Sequence, residues 1–295
     1  MALQSPALVL SRGFLAAILM LAATVAVGAQ ARGSPAATPE TRPQRVVSLN
    51  LCADQLLVAL ADREQILSLS PLVRDPSVSY FVERGASYPV NPGKGEAILF
   101  TGADLVFTGR WGAHATRELL VRQGLAVAPL DVWDSLDAGR AQIRDVARRL
   151  GHPERGERLV AKIDAALERV HNIVPPGRSV LPLQRRGWVQ SRDSVLSEIL
   201  RHMGFTLHQE RLGLPAGGLV RLEQLVTTPP DYAVLDEGTG EAVDNGSALL
   251  VHPALARAIP RERRLQGPAR LLICGGPSTP AAIDALAAEV RAKVR

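Results

Sequence analysis

The chain has 295 residues, 46% of them hydrophobic and 21% charged, which excludes a disordered or collagen-like polypeptide and leaves room for two lobes of ordinary size. A formal net charge of +5 raises the question of nucleic acid, but the arginines are scattered and no Lys/Arg block stands out, so the pattern argues against a nucleic-acid partner. Aromatic residues make up only 4% of the chain, so the places where its 3 tryptophans fall carry information.

Residues 1–31 read as a signal peptide. One positive side chain, Arg12, precedes the apolar run FLAAILMLAATVAV, and Ala29-Gln30-Ala31 offers small residues at a cleavage site. The run is too short for a membrane span, and an uncleaved anchor is the competing reading. Residues 32–44, rich in Pro and Ala, form a linker. Cleavage would leave a periplasmic chain in an oxidising compartment. There Cys52 and Cys274 either pair or remain as two buried thiols, and no C-x-x-C spacing suggests a metal.

From Arg45 the elements alternate. RVVSLNL reads as a strand, ADQLLVALA as a helix and QILSLS as a second strand. Residues 71–95 form a long Pro/Gly-rich connection of the kind that often carries function. A helix and strand follow over Glu96–Thr108, then a helix near Ala115–Gln123 closed by Gly124, and the strand LAVAPLDV. Ser135 suits the N-cap of a helix over 136–150, and Pro153 the first turn of the most helical segment, 153–174. Strand SVLPL, helix SVLSEILRHMG, a helix at Glu223, strand YAVLD, helix HPALARAI, strand RLLICG and a last helix from Thr279 complete the chain. This alternation predicts an α/β fold of two lobes with mostly parallel sheets joined by a single long helix. The N-terminal lobe is expected over 45–151, the connecting helix over 152–175 and the C-terminal lobe over 176–295.

One pattern occurs twice. In GEAILFTGADLVFTGRW, Glu96 opens an apolar run and Asp104 follows eight residues later, before a strand. In LEQLVTTPPDYAVL, Glu223 and Asp231 repeat that spacing. An acid at a helix start is favourable by itself, so helix capping is the plain role for both glutamates. Their twofold placement suggests in addition a partner with two basic pockets. Ligands in open α/β sheets bind beyond the carboxyl ends of the strands. Arg74 and Tyr80, Arg110 and Trp111, Trp133, and Trp188 all follow such ends, as do Asp54, Asp236 and Glu237. Three tryptophans at strand exits suggest a cleft lined by aromatic faces and guanidinium groups, with sheet-end plugs as the alternative.

Taken in order, RVVSLN with its early helix, the two acid-to-Asp segments, the single long helix between the halves and the CGGP-STPAAIDALAAEV tail resemble the class III periplasmic substrate-binding proteins of ABC importers. That family takes up cobalamin, ferric siderophores and heme. The resemblance covers roughly residues 45–295. It implies a monomer that holds its ligand in the cleft between two lobes and docks on a dimeric inner-membrane permease through one surface glutamate per lobe, here Glu96 and Glu223. By position it implies ligand contacts from Arg74, Tyr80, Arg110, Trp111, Trp133 and Trp188. Cys52 and Cys274 depart from the family pattern, as one exits the first strand of lobe one and the other the last strand of lobe two. The expected ligand is a metal chelate, a ferric siderophore or a cobalamin-type corrinoid. Aromatic content is low for a corrinoid cage, while plentiful arginine leans towards an anionic ligand, since guanidinium pairs well with carboxylates and catecholates.

No catalytic residue is expected. The sequence has no G-x-S-x-G, no metal-type His pair and no Gly-rich phosphate loop, so neither metal nor cofactor is expected. The competing reading is an exported α/β enzyme acting on a metal chelate, with Asp54, Asp236 or Glu237 as its titrating group.

Overall fold

Val46, Val47 and Ser48 have no solvent exposure and form the first strand of the fold, which is known from a computed structural model. The structure describes residues 42–111, 114–236, 246 and 248–295. The leader and most of the linker read from the sequence, like Glu237, lie outside the described residues.

The first half contains β1 (Val46–Ser48), α1 (Leu51–Leu60), β2 (Ile66–Ser68), α2 (Val82–Ala86), α3 (Gly95–Leu99), β3 (Leu105–Gly109), α4 (His114–Arg122), β4 (Ala126–Leu130) and α5 (Leu136–Arg149). Then comes α6 (Pro153–Glu168). The second half contains β5 (Ser179–Pro182), β6 (Trp188–Val189), α7 (Val195–His202), β7 (Thr206–Leu207), β8 (Gly218–Leu219), α8 (Leu222–Thr227), β9 (Tyr232–Asp236), α9 (Pro253–Ala258), β10 (Arg264–Gly267), α10 (Ala269–Leu272) and α11 (Thr279–Lys293). Strands β2-β1-β3-β4 form one sheet and β10-β9-β5-β7 another, both wholly parallel, while β6 and β8 form a small antiparallel ribbon. The α/β class with two parallel sheets is as the sequence predicts.

The twofold pattern has a structural job. Asp104, just before β3, accepts from the backbone N–H of Gln44 (2.7 Å) and Arg45 (3.1 Å), just before β1. Asp231, just before β9, accepts from the backbone N–H of Ser179 (2.8 Å) and its hydroxyl (2.7 Å) at the start of β5. Each aspartate therefore pins the strand next to its own, and the two halves are built alike.

Helix α6 packs on α5 of the first half and α11 of the second. One buried apolar cluster runs through the molecule, from Leu57 and Ile143 through Ile163 of α6 to Ile199 and Ile283. The start of α6 is tied to the first sheet by polar groups. Gln65 donates to the carbonyl of Leu150 (3.1 Å), and Arg155 to that of Leu60 (2.9 Å) and to Asp62 (2.5 Å). That bond from Arg155 holds the Asp62 carboxyl below its ordinary range. Burial pushes the imidazole of His152, just ahead of α6, below its usual value.

Three expectations need correction. Helix α6 stops at Glu168, not near 174, because the amides of Asn172 and Val174 bond the carbonyls of His202 and Met203 instead (3.0 and 2.9 Å). RLLICG is not a strand. Pro268 precedes the short helix α10, and the sheet edge is β10, upstream. A short apolar run cannot be assigned by periodicity alone. The connection 71–95 is also not structureless. It holds α2 and a bridge between Leu69 and Val90, and Asn91 anchors its end on the carbonyls of Ser48 (2.9 Å) and Leu69 (3.0 Å). No helix among the described residues is long and apolar enough to cross a membrane.

Candidate functional site

Beyond the carboxyl ends of the strands the two halves meet along a seam. Asn50 follows β1 and caps α1, its side chain accepting from the Ala53 amide (2.8 Å), which fixes the first turn carrying Cys52. Cys52 is joined by a disulfide to Cys274, which follows α10, across 222 residues of sequence and a Cα–Cα distance of 5.2 Å. Beside it lies Trp133, in the segment between β4 and α5. A Cβ at Gly139 would sit 2.2 Å from the indole, and a Cβ at Gly275 would also sit 2.2 Å from it. The ring thus fits against two backbones, one from each half, that only glycine leaves bare. Glu198 of α7 completes the seam by accepting from the Leu136 amide at the first residue of α5 (2.7 Å). A carboxylate there satisfies an otherwise unpaired helix N–H.

A pocket opens on each side of this seam, and Val132, Trp133, Ile273, Cys274 and Gly275 line both. The larger, about 440 Å³, is completed by Trp188, Gln184, Gln190, Ser191, Ser194 and Thr279 among others. The first turns of α7 and α11 reach it, and no charged side chain is among its lining. The smaller, about 140 Å³, holds Asn50, Arg110, Trp111, Asp131 and Gln142. Aromatic walls with a few amides and hydroxyls suit an organic ligand held by stacking and hydrogen bonds.

The expected ligand residues divide. Trp133 and Trp188 line the larger pocket, and Arg110, Trp111 and Trp133 the smaller. Trp111 is 79% exposed and Trp188 47%, so neither is a sheet-end plug. Arg110 is engaged. It donates to both carboxylate oxygens of Asp131, and this bond holds the Asp131 carboxyl below its ordinary range and raises the guanidinium further. Arg74 and Tyr80 are not brought to the seam. Arg74 donates to the carbonyl of Tyr88 (2.8 Å), and Tyr80 lines another pocket beside α6. The arginine-rich cleft expected from the sequence is therefore reduced, among the described lining residues, to Arg110. Glu96 and Glu223 sit in the first turns of α3 and α8, both exposed and at equivalent places in the two halves.

Sequence reasoning missed Gln190, Ser191, Ser194 and Thr279. The signal was there, since Ser194 and Thr279 open α7 and α11, and first turns of helices at the carboxyl edge of a parallel sheet face the ligand crevice. The candidate titrating groups are placed otherwise. Asp54 is buried on α1 and accepts from the amide (2.9 Å) and hydroxyl (2.5 Å) of Ser70; burial pushes its carboxyl up to about 6. Burial also raises the Asp236 carboxyl. Ser278 is buried and donates to the carbonyls of Leu271 (2.8 Å) and Cys274 (3.0 Å), closing the turn into α11. Among the described residues no group of three or more His, Cys, Asp or Glu side chains could hold a metal ion.

Comparison with known proteins agrees with this geometry. The family model described as periplasmic binding protein matches residues 46–258. The periplasmic heme-binding protein RhuT from Roseiflexus sp. RS-1, in its apo form, is 25% identical with a TM-score of 0.65, over 84% of this chain and 97% of that one. A periplasmic heme-binding protein from Pseudomonas aeruginosa is 22% identical with a TM-score of 0.65, over 85% and 93% of the two chains. The heme-binding protein BhuT, in complex with two hemes, is 19% identical with a TM-score of 0.64, over 83% and 98%. No curated protein matches the chain. With the family model spanning both sheets, and with two parallel α/β halves meeting at an aromatic cleft, the chain belongs to the periplasmic binding protein family, of the class III type that serves ABC importers.

Proposed function

We propose that this protein captures a metal chelate, a ferric siderophore or a cobalamin-type corrinoid, in the cleft along the Trp133 seam and delivers it to an inner-membrane permease. The carrying observation is that Trp111, Trp133 and Trp188, scattered in sequence, line two adjoining pockets between the halves. A heme iron draws an axial ligand from His, Tyr, Met or a thiolate. The described lining of the two pockets contains none of these, as both cysteines are paired. That favours a chelate whose metal is already fully coordinated. Heme is the second reading, supported by the heme-binding relatives of similar fold. The protein acts as a carrier that binds reversibly, with its leader removed on export. Glu96 and Glu223, one per half, dock on basic pockets of the permease dimer.

Tryptophan fluorescence titrated with cyanocobalamin, heme and a panel of ferric siderophores tests this. Saturable quenching by a corrinoid or siderophore, lost in Trp188→Ala, is expected. A stoichiometric Soret shift with heme, and no response to the others, would replace the chelate reading with the heme one. For docking, the charge reversals Glu96→Lys and Glu223→Lys are expected to abolish uptake in cells while leaving ligand quenching intact.

A further inference from the structure

Away from the seam, a pocket of about 460 Å³ lies between α2, α6 and the turn that leads into α11. Four cations line it, Arg84, Arg155, Arg158 and Lys162, and no carboxylate does. Arg155, Arg158 and Lys162 follow at three- and four-residue steps, so they share one face of α6, where like charges repel. Two of the four are held in place. Arg84 donates to the carbonyl of Val58 (2.8 Å) and lies 4.7 Å from the centre of the Phe81 ring. Arg155 is fixed by the Leu60 carbonyl and Asp62. Arg158 and Lys162 are exposed, and no hydrogen bond or ion pair engages either among the described residues. The remaining wall is apolar. Tyr80 and Phe81, with ring centres 4.7 Å apart, face Pro277 and Pro280 from the second half.

We propose that this pocket is a second binding site, for a small organic anion bearing two or more carboxylate or phosphate groups. Arg84 and Arg155, the latter already paired with Asp62, set a fixed positive wall, and the two unengaged cations Arg158 and Lys162 gain most from a counter-charge. The volume falls within the range of small-molecule sites. The aromatic and proline wall gives room for a carbon body beside the charges, and the Tyr80 hydroxyl adds a further donor. Because the lining comes from both halves and from α6, the occupant bridges the same parts that form the cleft, on another side of α1.

Isothermal titration of the protein with citrate and with pyrophosphate, at low ionic strength, tests the proposal. Saturable binding of one equivalent of either probe is expected, roughly tenfold or more weaker in the double variant Arg158→Gln/Lys162→Gln and progressively weaker with added salt. Both substitutions are at exposed positions, and unchanged circular dichroism and chelate quenching would show that the fold and the cleft are intact. Trp188→Ala is expected to keep the anion affinity, which separates this site from the cleft. No saturable heat with either probe, equal affinity in the double variant, or loss of binding in Trp188→Ala would each overturn the proposal. None of these outcomes bears on whether the cleft takes a chelate.

Discussion

At the residue scale the seam depends on missing side chains. Trp133 occupies space that exists only because positions 139 and 275 carry no Cβ. Gly275→Ala places a methyl 2.2 Å from the ring, so the indole must move or the backbone must yield. Overpacking of this kind costs about 1–3 kcal/mol. Urea unfolding is expected to show that loss, together with a red shift of tryptophan emission as the ring leaves its slot; unchanged emission would mean that the contact is looser than described. A second residue, Asp54, sets a pH dependence. Its folded-state pKa, about 6, lies above the ordinary 3.8 because burial disfavours the charged form. The stability it contributes is therefore complete below about pH 4 and is lost as pH rises through about 6, by roughly 3 kcal/mol. Asp54→Asn keeps an acceptor for the Ser70 amide and gains a donor for its hydroxyl. That variant is expected to be more stable than the parent at pH 8, with the gap closing at pH 4. Equal stabilities at pH 8 would show that the carboxylate is better solvated than its position suggests.

At the element scale, the helix starts and strand starts do most of the positioning. The Glu198 carboxylate on the first amide of α5 joins elements from opposite halves. Glu198→Ala is expected to cost about 1–2 kcal/mol and to speed amide exchange in the first turn of α5, with Glu198→Gln intermediate. Much of this level is legible in the sequence. Ser135 and Ser194 are N-caps accepting from Ala138 and Ser197, and the alternation of short Val-rich runs with amphipathic ones announces two parallel sheets. The acid-to-Asp repeat was visible as well, but not its use. That Asp104 and Asp231 pin neighbouring strands depends on which strands lie side by side, and local pattern does not carry that. The same limit hid β10. Its residues RLQG look polar, since only Leu265 and Gly267 face inward on an edge strand. The site was legible in part. Tryptophans after strand ends marked Trp111, Trp133 and Trp188. Arg74 and Tyr80 also follow a strand end, but Arg74 is held on the Tyr88 carbonyl and Tyr80 lines the pocket beside α6. No residue pattern in a long connection encodes that placement.

At the scale of the whole molecule, the described residues tie the halves through a shared apolar core along α6, the disulfide, the Trp133 wedge and the Glu198 bond. Small-angle scattering is expected to show little change in radius of gyration when ligand fills the cleft. The double variant Cys52→Ser/Cys274→Ser is expected to show a larger change and to lose up to roughly 5 kcal/mol of stability, the chain-entropy limit for so long a loop. Strong compaction of the parent protein on binding would argue against the rigid frame. The position of the bond has one more consequence. Cys52 lies near the start of the folded chain and Cys274 near its end, so the 222-residue separation makes almost the entire fold a covalent ring. Tension applied to the two ends of the polypeptide runs through the sulfur atoms and bypasses that ring. A single molecule stretched between its ends in an oxidising buffer would give up only β1 and α11, which lie outside the bond, while β2–β4 and β5–β10 would feel no load until a reductant cut it.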